Sequence, residues 1–204
     1  MNTLILVDIQ YDFLPGGALG VENGDKIIPV LNSLQNKFDL VVATQDWHPK
    51  DHGSFASNHK NKKPFEETKL GGLDQILWPD HCIQGRKGAE FSSELNLHKA
   101  EAIIRKGTDP KIDSYSGFFD NGKKKATGLG DYLKGRGVSR VFIGGLAADF
   151  CVGFTALDAI ELGFETIVLE DCTRPIDMEG WEKMKDSIRT KGGKILPSTE
   201  IYLK

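Results

Sequence analysis

Six short apolar runs, set apart by connections of helical length or longer, constrain this 204-residue chain more than any other feature. They are TLILV at 3–7, LVVAT at 40–44, AIIR at 102–105, VSRVFI at 138–143, TIVL at 166–169 and, more weakly, KIL at 194–196. Runs that stay apolar without alternating mark strands covered on both faces, as in a parallel sheet. Helical spacing appears between most of them. Ile27, Ile28, Leu31 and Leu34 fall on one face within residues 25–37, and similar patterns occupy 129–133 and 178–188. Strand and helix in alternation predict a three-layer α/β/α fold with a mainly parallel six-stranded sheet and right-handed crossovers. Ligands bind such sheets beyond the carboxyl ends of the strands. The polar residues that close the runs gather there: Asp8, then Asp46 and His48, then Lys106, then the turn that leads to Cys151.

That turn opens GGLAADFCVGFTALDAIELG, residues 144–163. Its two glycines are expected to end the fourth strand, and Ala147 and Ala148 let backbone approach backbone. Asp149 suits a helix N-cap, which would put Cys151 in the first helical turn. Unpaired N–H groups and the helix dipole would then favour the thiolate. The other reading is that Cys151 is a small buried hydrophobe, as free cysteines often are. Asp8 and Lys106 also have simpler readings, as a turn cap and as a lysine reaching water. Within hydrogen-bond reach of Cys151 they would instead form an acid/base and electrostatic pair beside a nucleophile.

One connection is too long and too polar to be a plain link. Residues 47–100 hold all five histidines and two of the three tryptophans, with little periodicity. A structureless link of that length in a compact domain usually has a function. It is read as a metal- and substrate-binding lobe folded over the sheet edge, inside a single domain spanning 1–204. Asp46-Trp47-His48 is a D-x-H at a strand end, where residues two apart point the same way. His81, in WPDHC, is a candidate third ligand; His52 and His59 rank below it, and His98 reads as surface. One carboxylate and two imidazoles suit zinc, iron or manganese and leave positions open. Phe13, Trp78 and Tyr115 are candidates for an aromatic wall.

The remaining totals exclude more than they assign. A net charge of −3 gives no reason to invoke nucleic acid or an anionic membrane. No apolar run approaches spanning length, and the first one is broken by Asp8 without a basic segment before it, so no export signal is expected. Three cysteines far apart do not make a disulfide framework, and a cytoplasmic setting is expected. Lysines at 60, 62 and 63 and at 123–125 read as solvated loops.

Five stretches together carry a resemblance: LILVDIQYDFLPGGALGV, TQDWHPKDHGSFASNH, WPDHCIQGRKGAEF, RKGTDPKIDSYSGFFDN and GGLAADFCV. In them the chain resembles the nicotinamidases, amidohydrolases of the isochorismatase-like superfamily, and the spacing between the stretches fits as well. The resemblance implies a catalytic triad of Asp8, Lys106 and Cys151, and metal ligands Asp46, His48 and His81 for a divalent ion, zinc first and iron or manganese next. It also implies a substrate pocket lined by Phe13, Trp78 and Tyr115. A cis peptide at Leu146-Ala147 would aim the N–H groups of Ala147 and Cys151 at an oxyanion. The implied reaction takes nicotinamide, and pyrazinamide with it, to the acid and ammonia through a cysteine thioester, feeding NAD salvage. A homo-oligomer is compatible with the family. Relatives that cleave isochorismate or a carbamoyl group share the core but lack the D-x-H and distal histidine. A catalytically silent nicotinamide- or metal-binding module would lack a triad member, and none is missing here.

Overall fold

Strand β1 (Asn2–Val7) is buried along its whole length and runs through the middle of a six-stranded sheet, as its unbroken apolar sequence requires. The computed structural model describes residues 1–201, so residues 202–204 of the expected 1–204 domain lie outside the described residues. After β1 come α1 (Ile27–Leu34), β2 (Leu40–Asp46), β3 (Glu67–Leu70), β4 (Leu73–Ile76) and β5 (Ala100–Lys106). The second half supplies α2 (Leu129–Gly135), β6 (Arg140–Leu146), α3 (Gly153–Glu161), β7 (Glu165–Arg174), α4 (Met178–Thr190) and β8 (Lys194–Leu196). The order across the sheet is β5-β2-β1-β6-β7-β8, and every neighbouring pair is parallel. The chain builds outward from β1 to β5, then returns to lay β6 against the other side of β1. That reversal is a topological switch point, where a crevice forms beyond the strand ends.

Alternate residues of the strands divide the core between the two faces. Leu4, Leu6, Val41, Ala43 and Phe142 pack with Ile28, Leu31 and Leu34 of α1 and with Trp78, Ala89 and Leu95 of the long connection. Ile5, Val7, Val42, Val141 and Ile143 face the other way, against Leu129 and Leu133 of α2, Ala156 and Ala159 of α3, and Trp181 and Ile188 of α4. Three layers result, with the polar connection covering the face that α1 alone leaves open. Capping is clear at α4, where the Asp177 carboxylate accepts the Gly180 N–H at 2.7 Å.

The structure departs from the sequence reading in three places. Strand β6 runs through Gly144 and Gly145 to Leu146 and does not end at them. A Cβ on Gly145 would lie 2.0 Å from the Val7 carbonyl oxygen, so glycine here permits close pairing with β1 and does not mark a turn. Asp149 is not an N-cap: its carboxylate accepts the Ile176 and Asp177 N–H groups at 2.9 and 2.8 Å, across the gap to the end of β7. Residues 47–100 contain an antiparallel hairpin, β3 and β4, which is half exposed and too short for a periodic signal. Among the described residues, no helix is long and apolar enough to cross a membrane.

Candidate active site

Four adjacent strand ends, β5, β2, β1 and β6, deliver Lys106, Asp46, Asp8 and the Cys151 turn to one crevice. Asp46 and Lys106 are register partners at the ends of β2 and β5. Asp8 follows β1 with φ of 49°, and Thr44 on β2 donates to its Oδ1 at 2.6 Å. Its Oδ2 is buried, and Lys106 Nζ lies 2.9 Å from it. The same amine is 3.0 Å from Asp46 Oδ1, donates to the Ser114 carbonyl at 2.9 Å, and lies 3.4 Å from Cys151 Sγ. Lys106 therefore stands among both carboxylates and the thiol. Cys151 belongs to a single π-turn, Ala148–Val152, that runs into α3. The Phe150 and Val152 N–H groups both bond to the Ala147 carbonyl, and the Leu146–Ala147 peptide is cis. Ala147 and Cys151 both line the cavity.

The candidate ligand atoms of Asp46, His48 and His81 lie within 4.8 Å of one another, all on buried residues. His48 donates from Nδ1 to the Gly107 carbonyl at 2.8 Å, and His81 from Nδ1 to the Pro79 carbonyl at 2.8 Å. A carbonyl can only accept, so each Nδ1 carries the proton and each Nε2 presents its lone pair. Those lone pairs point at Asp46 Oδ2, 2.9 Å from His48 and 3.3 Å from His81. Three acceptors converging out of water need a cation or an extra proton between them. The donor set therefore fits a divalent metal, with positions left over. His52 is buried, its ring centroid 4.2 Å from that of His48, and its Nε2 has no hydrogen-bond partner. Together with His48 and Asp113 it forms a second group of possible ligands. His59 is half-buried with Nε2 on the Gly53 carbonyl, and His98 is exposed.

Burial dominates the electrostatics. It pushes the Cys151 thiol well above its ordinary range, only partly offset by Lys106. The expectation that the helix start would favour a resting thiolate is thus corrected: the sulfur is out of water, and two carboxylates face it. Burial also raises Asp8 against the opposing pull of Lys106, which makes its carboxylate a stronger base. Asp46 goes the other way: despite burial, the Lys106 ammonium, and His48 when it carries the extra proton, hold it well below the usual carboxylate range. Lys106, though buried, is held well above the usual amine range by Asp46 and Asp8, so it remains charged.

The walls are aromatic. Phe13, Trp78 and Tyr115 line the cavity with Leu19, Phe150 and Ile176. Trp78 and Phe150 meet edge to face at 4.9 Å between centroids, and Phe150 meets Tyr115 at 5.4 Å. Phe150 escaped the sequence reading although it adjoins Cys151 in GGLAADFCV. The polar support of the wall escaped too: Gln75 on β4 donates to Tyr115 Oη and to Asp113 Oδ2, both at 3.0 Å. No local signal marks Gln75, because its role depends on a hairpin that the sequence does not announce. Cys82 and Cys172 are buried and free.

Comparison with known proteins bears on this geometry directly. The isochorismatase domain model matches residues 2–200. Over 186 residues the chain is 48% identical to the nicotinamidase of Acinetobacter baylyi, covering 89% of this chain and 87% of that one. It is 44% identical to the Escherichia coli nicotinamidase over 182 residues, covering 87% and 85% of the two chains. Among solved structures, the Acinetobacter baumanii nicotinamidase/pyrazinamidase superposes with a TM-score of 0.96 at 47% identity, over 98% of both chains. An L. infantum protein in complex with nicotinate gives 0.88 at 36% identity, covering 100% of this chain and 96% of that one. The Pyrococcus horikoshii pyrazinamidase in complex with zinc gives 0.79 at 42% identity, covering 96% and 98%.

Proposed function

The chain belongs to the isochorismatase domain family, and from that premise we propose that its pocket hydrolyses nicotinamide to nicotinate and ammonia through Cys151. It is an amidohydrolase of the nicotinamidase type. The observation that carries the assignment of roles is the meeting of Asp8, Lys106 and Cys151 in a pocket that also holds Asp46, His48 and His81. Asp8, with its raised basicity, takes the thiol proton as sulfur attacks the amide carbon. Lys106 keeps the resulting carboxylic acid and thiolate neighbours of a fixed positive charge. The N–H groups of Ala147 and Cys151 receive the tetrahedral oxyanion; one such donor is typically worth roughly 3 kcal/mol. Asp8 returns its proton to the departing nitrogen, which leaves as ammonia. Water then attacks the thioester carbon and gives a proton to Asp8, which passes it to the departing Cys151 sulfur, and the acid leaves and ionises to nicotinate.

Phe13, Trp78, Tyr115 and Phe150 hold the ring by its faces and edges. Asp46, His48 and His81 would hold a divalent metal, for which zinc is favoured over iron or manganese by the imidazole-carboxylate donors and by the zinc complex of the P. horikoshii relative. When bound, such an ion supplies an open Lewis-acidic position beside the pocket for a ring nitrogen or a water. Pyrazinamide, which keeps both ring nitrogen and amide, is expected to be accepted. A cytoplasmic setting, with nicotinate passing to pyridine-nucleotide salvage, is supported by three free cysteines. The test is ammonia release from nicotinamide by the purified protein. Stoichiometric nicotinate formation is expected, and no ammonia above a protein-free blank would overturn the reading.

A further inference from the structure

We infer that Asp12 is a positioning residue that ties the pocket wall to the candidate metal ligands, so that one carboxylate sets ring affinity and metal affinity together. The inference rests on the function proposed above for the same pocket. Asp12 lies in the 3-10 turn Tyr11–Phe13, immediately before the wall residue Phe13. Its Oδ2 accepts the Cys82 N–H at 2.7 Å, across seventy residues of sequence. Cys82 immediately follows His81, and its φ of 47° lies in the left-handed region that side chains with a Cβ rarely adopt. A backbone in that region persists where its surroundings hold it. The other half of the same residue is also engaged, because the Cys82 carbonyl accepts the His48 N–H at 3.0 Å. The Cys82 backbone thus joins Asp12 on one side to His48 on the other, with His81 carried next to it.

The turn that holds Asp12 is equally tied to the wall. The Asp12 carbonyl accepts the N–H of the lining residue Leu19 at 2.9 Å, and the Phe13 ring stands 5.5 Å from that of His81. Gly88 makes room for the carboxylate. A Cβ there would fall 2.0 Å from Asp12 Oδ2 and 2.2 Å from Oδ1, contacts that would expel it. Asp12 touches neither the reacting atoms nor the metal donors, and the groups proposed to do chemistry stand on β1, β5 and the β6–α3 turn. Loss of the tie should therefore move binding more than the chemical step.

The test measures the zinc dissociation constant of the metal-stripped protein by competition with a chromophoric chelator, together with KM and kcat for nicotinamide, in Asp12→Ala, Asp12→Asn and Gly88→Ala. Residues that orient metal ligands typically change affinity about 10- to 100-fold. Asp12→Ala and Gly88→Ala are expected to weaken zinc by at least about tenfold and raise KM, with kcat changed less. Asp12→Asn keeps an oxygen acceptor for the Cys82 N–H and is expected to restore most of both. Zinc affinity and KM unchanged in Asp12→Ala would overturn the inference, as would Asp12→Asn behaving like Asp12→Ala. If Asp12→Ala does not fold, the contrast between Asp12→Asn and Gly88→Ala decides in the same way. If the wild type binds zinc but releases no ammonia, the functional reading fails while the order of zinc affinities still tests the tie.

Discussion

Lys106 Nζ lies 3.0 Å from Asp46 Oδ1, so the amine beside the candidate nucleophile is bonded to the carboxylate at the centre of the candidate metal set. The two halves of the site are one buried network. Asp46 faces His48 and His81 through one oxygen and Lys106 through the other. Lys106 in turn spans from Asp46 to Asp8 and Cys151. Charge lost in one half should be felt in the other, and the following predictions use that coupling.

Replacing Lys106 by Met leaves Asp8 and Asp46 buried without their shared cation. Removing one partner of a buried ion pair typically costs about 3–5 kcal/mol, so a marked fall in urea midpoint is expected. Cys151 should also lose its one stabilising charge and label more slowly with iodoacetamide near neutral pH. An unchanged midpoint together with an unchanged labelling rate would contradict the network.

Nicotinamide and benzamide differ at the ring nitrogen and share the amide. If a metal at Asp46, His48 and His81 reads that nitrogen, the metal-loaded protein should strongly prefer nicotinamide, since a site built for a polar group rejects an analogue lacking it. Stripping the metal, or His81→Ala, should depress nicotinamide turnover steeply and benzamide turnover much less. The four rates form a cycle whose coupling isolates the contact. An equal loss for both substrates would assign the ion another role.

Much of this was legible in the sequence for a physical reason. Strands buried on both faces must be apolar throughout, so Asp8 stands out directly after the first run and Asp46 two residues past the second; β5 is a half-exposed edge strand, and Lys106 is its buried last residue. Parallel pairing then puts those ends on one edge. What stayed hidden depends on contacts between distant segments. Asp149 has the composition of a cap but bonds to Ile176 and Asp177, and Gln75 reaches Tyr115 from a short, half-exposed hairpin. The thiol's resting state was hidden likewise, because it follows from how deeply Cys151 is buried and not from its place in a helical turn.

Cys172 provides a pH test remote from these ligands. Burial, with Asp171 beside it, pushes its thiol up to about 12. An unfolded cysteine titrates near roughly 8.5–9, so between that value and about 12 the unfolded chain releases a proton that the folded one keeps. The contribution is full below the unfolded value and is lost as pH rises. From pH 8 to 10 the loss from this group is about 1.5 kcal/mol. Cys172→Ala should flatten the alkaline fall in unfolding free energy by that amount while activity persists, and a variant with the wild-type slope would contradict the assignment.

The central claim is that Cys151 carries the acyl group, and steady-state ammonia release by Cys151→Ala tests it most directly. Removing a catalytic nucleophile commonly costs on the order of 10⁴–10⁶ in kcat. The variant is predicted to bind nicotinamide, because the aromatic walls and the metal donors remain, yet to turn it over at least about 10⁴-fold more slowly than the wild type. Cys82→Ser, assayed beside it, should keep most of its activity. A folded Cys151→Ala protein that retained more than about a tenth of wild-type turnover would contradict covalent catalysis at this residue.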